Sequence, residues 1–501
     1  MVDNDVPNEP TEETPLLVDG SEPHISQVAA NDPKYTNKNI AFALLVYFFH
    51  QMYDFLPVTP CLLLYERSIC FRYYSEQNPG LIGPGGLVDE RHCKIEAVQT
   101  RLAIFRGWKP VFSAIPVFLL AIPYGRFADK YGKKRVASLS LIGLLLGEIW
   151  AVLVISLPSV FPIEVAWSQS LFSFIGGGDS QAASMIYLIG SDMVEEHQRS
   201  KLFYLMYCVY LGTELIGPLI AAATTDISPY IPIGLTLACI ITAVGILQLI
   251  TERIPRLEKN IISRQEPQSS STGVDDDNSP PQTQSTTAEP VSEGRDDLAM
   301  LLKKKNILLI LAAFLTPYVR PATMFVLQQY ASVRFDWKIS RTSLLTSEAA
   351  VVNIILYLFI IPQLTSIVRM RFNVTQQTID MNVVRISFVL LTIGALLVGL
   401  ATTSNLLIPS VAIFTAGFGV RVSLLASAAS LADQKIHARL FGALQIMENI
   451  GMLCSFPLTQ NMWAAAIRIG PPWLGFPFYV ISGIFGVALL CTVFMCNSRE
   501  Q

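Results

Sequence analysis

Charged residues are what this sequence has least of. Asp, Glu, Lys and Arg make up 15% of its 501 residues, whereas soluble domains usually carry about 25%. The formal net charge is -3 at pH 7, and no basic, aromatic-rich patch marks a surface for nucleic acid. The shortage of charge excludes a string of ordinary water-facing domains, and we expect no nucleic-acid partner.

Cysteine and histidine are sparse as well. Eight cysteines are too few for a disulfide scaffold in a chain of this length, and the five histidines are scattered singly. Metal sites and metal-dependent enzymes need such ligands in clusters. We therefore expect no metal, no cofactor and no enzymatic activity.

The beginning of the chain lacks the basic start and apolar stretch of a signal peptide. Residues 1–38 are acidic and contain several prolines, a composition that cannot bury a core. We expect a disordered cytosolic tail there.

Long apolar runs are what the sequence does have. Hydrophobic residues make up 51% of the chain, and charge-poor runs of roughly 20 residues, the length that crosses a bilayer as a helix, recur from Asn39 to Cys496. We predict an all-α membrane protein of about twelve transmembrane helices. The predicted helices cover residues 39–65, 102–124, 135–157, 165–189, 202–223, 230–250, 306–330, 344–364, 384–401, 405–429, 440–463 and 473–495.

A polar segment divides these helices into two equal sets. It contains Gln268–Ser271, Asp275–Asp277 and Pro280–Pro281, and is too polar to bury a core. The predicted organisation is an N-terminal six-helix half at 39–252, a largely disordered cytosolic linker at 253–305, a C-terminal six-helix half at 306–496 and a short tail at 497–501.

Basic residues in the short loops predict the orientation. They concentrate at 126–135, after the second helix, and at 303–305, at the end of the linker, whereas the loops after helices 3, 5 and 9 have none. Because cytosolic loops are enriched in Lys and Arg, we expect both termini and the linker in the cytosol. The loops after helices 1 and 7 also carry bases and fit this orientation less well.

The long loop predicted after the first helix contains Cys70 and Cys93. In this orientation the loop faces an oxidising compartment, where disulfides persist. A Cys70–Cys93 disulfide and two free thiols are both open at this stage.

The most specific motif is Gly-Arg-Phe-Ala-Asp-Lys-Tyr-Gly-Lys-Lys-Arg at residues 125–135. Gly125 permits close helix contact, Gly132 permits a turn, and Asp129 can lie near the start of the third helix, where the macrodipole favours an anion. The bases can pair with acids at neighbouring helix ends and form a latch that opens and closes. A simple cytosolic anchor is the alternative interpretation.

This motif resembles the loop signature of the major facilitator superfamily: Gly, three residues, Asp, a base, one residue, Gly and two bases. The resemblance implies the major facilitator fold, a small-molecule substrate, a site between two halves that rock, and a monomer in the lipid bilayer. A weak internal repeat, Asp192–Phe203 against Asp433–Phe441, supports two related halves, although chance similarity is the alternative. The predicted latch residues are Gly125, Asp129, Lys130, Gly132, Lys133, Lys134, Arg135, Asp192, Arg199, Asp433 and Arg439.

Two further stretches resemble fungal drug:proton antiporter-like members of this superfamily. Leu56–Pro60 looks like the end of their first helix, and Gly212–Ala223 is similar to their antiporter motif in helix 5. Alanines replace a closing glycine pair in the second stretch, and Phe172–Ser173 stands where the family often keeps an arginine. These departures leave the direction of transport open.

Charged residues at membrane depth are the functional candidates, since each costs roughly 3 kcal/mol at the bilayer centre unless it is paired or hydrated. A carboxylate there can bind and release a proton as its hydration changes. In the superfamily, helices 1, 4, 7 and 10 line the cavity, so the resemblance places candidates from these helices near the path. Static salt bridges or positions near helix ends are the competing interpretation for the acids, most strongly for Glu148, Glu348 and Glu448. The proton-coupling or cavity candidates are Asp54, Asp179, Glu214, Arg320 and Arg421. The substrate-surface candidates are Tyr53, His50, Gln328, Gln329 and Tyr330.

These observations favour a secondary transporter that exports a small organic compound, a drug or a secondary metabolite, in exchange for protons. Proton-coupled uptake of a nutrient is the second interpretation, because symporters share the fold and the loop signature. A multi-pass protein of the plasma membrane or the vacuolar membrane is expected. The dileucine pattern at 12–17 slightly favours the vacuole.

Overall fold

The computed structural model describes residues 33–195, 198–250, 309, 312–316, 319–372, 376–420, 423–424 and 437–496. All regular secondary structure in these residues is helical. The linker, the last five residues, Arg421 and Asp433 lie outside them. Eight helical stretches within the described residues are long and apolar enough to cross a membrane, so a count of twelve stays a prediction.

The α-helices follow the predicted segments in order. They are α1 (Pro33–Phe55), α2 (Val58–Gln77), α3 (Glu96–Tyr131), α4 (Lys133–Ser156), α5 (Gly178–Ser191), α6 (Arg199–Thr225), α7 (Tyr230–Leu249), α8 (Val319–Arg334), α9 (Ile339–Ile355), α10 (Ile361–Phe372), α11 (Gln376–Leu400), α12 (Ser404–Ala416), α13 (His437–Ile469) and α14 (Phe476–Cys496). A π-helical segment, Leu356–Ile360, joins α9 to α10.

The first predicted helix is two helices in the structure. The chain breaks at Leu56–Pro57, because proline lacks the amide that would continue the hydrogen-bond ladder. The second part, α2, runs on to Gln77, so Cys70 lies in a helix and not in the predicted loop. At the other end, α1 begins at Pro33, and the predicted tail of residues 1–38 overlaps its start.

The fourth predicted helix, residues 165–189, is also wrong as a continuous α-helix. Its first part is a 3₁₀ stretch, Ile163–Phe174, and α5 starts anew at Gly178. Between them Gly176, Gly177 and Gly178 have φ of 92°, 93° and 77°, a left-handed backbone that favours glycine. The Gly176 carbonyl accepts a 2.6 Å hydrogen bond from Ser140 Oγ, which pins this break against α4.

The seventh predicted helix, residues 306–330, is interrupted as well. A turn at 314–316 precedes α8, in which the Thr316 amide donates to the Ala313 carbonyl at 3.1 Å. Helix α8 then begins at Val319, and Arg320 lies in its first turn. The turn places Arg320 at a helix start, whereas the hydropathy pattern predicted the middle of a helix.

The two halves meet along α3 with α13 and along α6 with α9. Gly107 of α3 allows the close approach, because a methyl group there would collide with Gln460 of α13. At the end of the bundle that carries Cys70 and Cys93, here called the disulfide end, the apolar cores cross between the halves. One core takes in Ile339 from the C-terminal half and the other takes in Ala103 from the N-terminal half.

The opposite end, here called the motif end because it carries Gly132, is built differently. Its two large cores, one around Leu141 and the other around Phe388, each draw only on their own half among the described residues. The halves are therefore closed against each other at the disulfide end.

Candidate functional site

A cavity of about 560 Å³ lies between the halves. The N-terminal half supplies most of its wall, from α1 to α5, and Phe325, Asn449 and Met452 close it from α8 and α13. Its lining follows α3 from Arg106 to Ala121, toward the motif end. The expectation that the predicted helices 1, 4, 7 and 10 line the cavity is thus incomplete. The second and third predicted helices, which are α3 and α4 in the structure, contribute as much of the lining.

One wall of the cavity holds a cluster of His50, Asp54 and Asp179. His50 Nε2 lies 3.0 Å from Asp179 Oδ1, and the ligand atoms of all three side chains lie within 4.8 Å of one another. His50 is almost completely buried, whereas the Asp179 side chain is 45% exposed. The cluster therefore joins a buried base to a carboxylate that the cavity reaches.

Local structure explains why these three side chains meet. His50 and Asp54 are four residues apart on α1, so they share one face of the helix. The glycine break restarts the helix at Gly178 and places Asp179 in the first turn of α5, where the macrodipole favours an anion. The sequence identified all three residues but assigned His50 to the substrate surface instead of to this cluster.

The same three side chains could in principle hold a metal ion, because one imidazole nitrogen and two carboxylate oxygens are ordinary ligands. His50 Nε2 and Asp179 Oδ1 are, however, 3.0 Å apart, which is an ion-pair distance, although neither atom makes a hydrogen bond of good geometry. A metal ion would have to separate the two groups, so a direct contact between them fits the described geometry better than a bound ion.

A second part of the wall, near the disulfide end, was not foreseen from the sequence. Lys109 Nζ donates a 2.7 Å hydrogen bond to Tyr65 Oη. Arg106, one turn earlier on α3, donates a 2.9 Å hydrogen bond to the Phe325 carbonyl. Both cations lie within the predicted helix 102–124, so the cost of a charge at membrane depth was a signal that could have found them.

Glu148 belongs to this same wall. Its Oε2 accepts a 3.0 Å hydrogen bond from Gln169 Nε2, and Cys61 Sγ lies 3.8 Å from its Oε1. The side chain is buried. Sequence reasoning favoured a static ion pair for Glu148, whereas the described contacts are hydrogen bonds to neutral groups.

Glu214 and Arg320 lie outside the lining of the cavity. Glu214 Oε2 accepts a 3.3 Å hydrogen bond from Asn353 Nδ2 of α9, and it is close enough to Arg320 to interact electrostatically. The Arg320 guanidinium lies 3.7 Å from the centre of the Phe418 ring. These two candidates therefore belong to the contact between the halves.

The substrate-surface candidates divide in a similar way. Tyr53 lines the cavity. Gln328 and Gln329 are buried in α8, and Gln328 Oε1 lies 3.5 Å from Arg106 Nη2. Tyr330 donates to the Val398 carbonyl at 3.2 Å and packs on Trp463 and Phe478 in the C-terminal core.

The loop motif ties the ends of helices together within the N-terminal half. Gly132 makes the turn between α3 and α4 with φ of 100°. Lys133 forms an ion pair with Asp192, after α5, and Lys134 Nζ donates to the Gln248 and Ile250 carbonyls at the end of α7. Asp129 and Lys130 lie in the last turns of α3, so Asp129 precedes the start of α4.

The other latch candidates have simpler positions. Gly125 lies inside α3, and Arg135 is exposed in the first turn of α4. Arg199 begins α6 and is exposed, and Arg439 lies in the first turn of α13. The parallel between Asp192 and Asp433 stays a prediction, because Asp433 lies outside the described residues.

At the disulfide end a chain of charges crosses from one half to the other. Lys94 Nζ donates to the buried Glu66 at 2.9 Å and to Glu90 Oε1 at 3.1 Å. Glu90 Oε1 also accepts a 2.9 Å hydrogen bond from the Ile339 amide at the start of α9. We call these four residues the Glu90 bridge.

A disulfide joins Cys70 of α2 to Cys93 in the structure. Cys93 directly precedes Lys94, so the covalent bond holds the Glu90 bridge against α2. Outside the bridge, Arg91 and Asp336 form a longer, exposed ion pair at 3.9 Å.

A bundle of apolar helices around a cavity with charged walls defines a multi-pass membrane transporter. The family model of the Major Facilitator Superfamily matches residues 106–456, more than half of the chain. The chain belongs to this superfamily.

Relatives and solved structures agree with this assignment. The chain is 26% identical to the MFS efflux pump atnC of Emericella nidulans, over 88% of this chain and 85% of that protein. It is 27% identical to the efflux pump ustT of Aspergillus flavus, over 82% and 79%. The fold is similar to the nucleoside transporter NupG, with a TM-score of 0.59, 13% identity and coverage of 91% and 99%. It is also similar to a bacterial homologue of the iron transporter ferroportin in the inward-facing state, with a TM-score of 0.58, 11% identity and coverage of 93% and 99%.

Proposed function

We propose that this chain exports a small organic compound, a drug or a secondary metabolite, in exchange for protons by alternating access. The observation that carries the proposal is the contact between His50 and Asp179, 3.0 Å long, at the wall of a cavity between the halves. A base and two carboxylates that share this wall can hold a proton in one state of the transporter and release it in the other.

The proposed cycle starts from the conformation in hand. The disulfide end is closed by the Glu90 bridge and by the cores that cross between the halves, and we place this end outside the cell or inside the vacuole. A substrate enters the cavity from the motif end. When the halves rock, the bridge opens and water reaches Asp54 and Asp179 from the other side.

Proton exchange follows from this change in hydration. A carboxylate that becomes hydrated loses its proton more readily, and one that is enclosed in an apolar site takes a proton up more readily. His50 is buried beside Asp179 and can accept or return the proton without leaving its position on α1. The substrate leaves on the side from which protons enter.

Export is the favoured direction for two reasons. The curated relatives at 26% and 27% identity are named efflux pumps, and the Gly212–Ala223 stretch of α6 resembles the antiporter motif. Uptake by symport is the alternative, because Ala221 and Ala222 replace the closing glycine pair of the antiporter motif and so weaken that resemblance. Both directions use the same cavity and the same cluster.

The test of direction uses membrane vesicles and a fluorescent dye. Inverted vesicles with an imposed proton gradient, acid inside, are expected to accumulate at least one dye from a panel of anionic and cationic dyes only when the chain is present. Whole cells with the chain in the plasma membrane should then contain less of that dye at acid pH than cells without the chain. Accumulation in whole cells together with none in inverted vesicles would support uptake and overturn export.

A further inference from the structure

Lys109 is a cation in the wall of the cavity, and the proposed transport cycle gives it no role. It lies on α3, lines the cavity and is half-buried. Its ammonium donates to Tyr65 Oη at 2.7 Å and lies 5.3 Å from the centre of the same ring. A lysine ammonium has three donors, and among the described residues the Tyr65 hydroxyl is the hydrogen-bond acceptor for this one.

Neighbouring charges in the wall already have partners of their own. Arg106 is buried, bound to the Phe325 carbonyl and stacked 4.8 Å from the Phe325 ring, so it holds α3 against α8. Glu148 accepts a hydrogen bond from Gln169. Among the described residues it makes no direct ion pair with Lys109 but is close enough to interact with it electrostatically. Lys109 is thus a charge that faces the cavity with a neutral hydrogen-bond partner.

We infer that Lys109, positioned by Tyr65, is an anion-binding subsite, and that the transported compound is an aromatic organic acid whose carboxylate binds there. This inference rests on the proposed function and specifies its substrate class. A half-buried ammonium without a direct ion-pair partner gains from a ligand that brings a carboxylate within hydrogen-bond distance, and Asp179 at the other wall is already paired with His50.

The remainder of the cavity fits the body of such a compound. Its aromatic lining includes Tyr53, Tyr65, Phe118 and Phe325, and its volume is in the range of drug-sized ligand sites, roughly 300–1,000 Å³. Lys109 lies on α3, whereas the two carboxylates of the cluster lie on α1 and α5. An acid group bound at Lys109 therefore leaves the proton cluster free to titrate.

The inference separates substrate binding from proton binding. The carboxylate of the substrate neutralises Lys109, whereas the exchanged protons are carried by the cluster at the other wall. Loss of Lys109 is therefore expected to weaken the binding of acids while the protein still folds and still binds protons.

The test measures binding of acids and their neutral esters to purified protein in lipid nanodiscs. The probes are 2-naphthoate, 4-phenylbenzoate and indole-3-carboxylate, each paired with its methyl ester, with thermal shift and titration calorimetry as readouts. The unchanged protein should bind at least one acid more tightly than its ester. Lys109→Gln should weaken that binding by about tenfold or more, as expected for a lost charge-assisted hydrogen bond, and Lys109→Arg should keep the preference for acids.

A matched control is Lys201→Gln, which removes an exposed lysine at the start of α6 and should leave every binding constant unchanged. The preference of the unchanged protein for acids over their esters is measured first. This comparison tests the inference even if a Lys109 variant does not fold. Esters that bind as well as their acids, or an acid preference that survives in folded Lys109→Gln, overturn the inference. Dye export that depends on the proton gradient but shows no preference for acids overturns the subsite alone, whereas loss of gradient dependence overturns the proposed function.

Discussion

Glu90 and Ile339 connect the two halves of the transporter at the disulfide end, through a 2.9 Å hydrogen bond from the Ile339 amide to the Glu90 carboxylate. The same carboxylate oxygen accepts from Lys94. Because Ile339 begins α9, the contact also satisfies an amide that the helix leaves free. Opening this end requires that the contact breaks, so the strength of the contact sets part of the barrier to opening.

The first prediction concerns Glu90→Gln. An amide cannot provide the charge that strengthens this hydrogen bond. The closed state of the disulfide end is therefore expected to lose about 1–2 kcal/mol of stabilisation. We therefore expect the disulfide end to open more often and a bulky, membrane-impermeant maleimide to label Cys61, which lines the cavity, about fivefold to thirtyfold faster from that side.

The labelling background keeps the Cys70–Cys93 bond and replaces the other free cysteines by serine. Glu96→Gln is the control, because Glu96 is an exposed acid a few residues away, in the first turn of α3. Equal labelling rates in Glu90→Gln and in the background would show that the bridge does not hold the gate.

The second prediction concerns the disulfide. The bond closes a loop over a sequence separation of 23 residues, for which the chain-entropy account gives a stabilisation of about 3 kcal/mol. Cys70→Ser with Cys93→Ser should therefore lower the Tm of the purified protein by several degrees, measured by thermal unfolding in detergent. Thiol labelling followed by reducing and non-reducing gels tests the bond itself, and identical patterns would mean two free thiols.

The third prediction concerns the break that positions Asp179. Gly177 has φ of 93°, and a side chain in this left-handed region costs about 1–2 kcal/mol. Gly177→Ala should therefore lower the Tm and reduce gradient-driven dye transport. Gly234→Ala in α7, where an added methyl group meets open space, is the matched control. A Gly177→Ala protein as stable and as active as this control would mean that the break is not needed.

The long helices were predicted well from the sequence where the end of an apolar run coincides with the end of the helix. The sixth helix was predicted at 230–250 and is found at Tyr230–Leu249, and the third was predicted at 135–157 and is found at Lys133–Ser156. In both cases the apolar run is followed by residues that do not extend the membrane-spanning helix. Apolar content sets these boundaries, and a hydropathy pattern reports apolar content directly.

The breaks inside helices could not be predicted in the same way. Residues 165–189 are mostly apolar, and hydropathy does not distinguish an α-helix from a 3₁₀ stretch followed by a glycine turn. Gly176 packs against Ser140, and the positive φ angles of the three adjacent glycines at 176–178 end one helix and start the next.

The candidate site was predicted in part. Asp54 and Asp179 were chosen because a charge at membrane depth is costly, and the structure places both in the wall of the cavity. The same reasoning applied to Arg106 and Lys109 but was not extended to them. Contacts such as Glu214 with Asn353 join helices far apart in the sequence, and without an alignment one sequence carries no signal for them.

The central claim is that His50, Asp54 and Asp179 couple transport to protons, and it is tested most directly in proteoliposomes. Gradient-driven transport of a dye or acid shown to be a substrate is compared between the unchanged protein, Asp54→Asn, Asp179→Asn and the control Asp226→Asn, an exposed acid after α6. We expect both cluster variants to lose accumulation against a concentration gradient and to keep downhill exchange of the substrate, and we expect the control to behave like the unchanged protein. Full gradient-driven accumulation in both cluster variants would contradict the account.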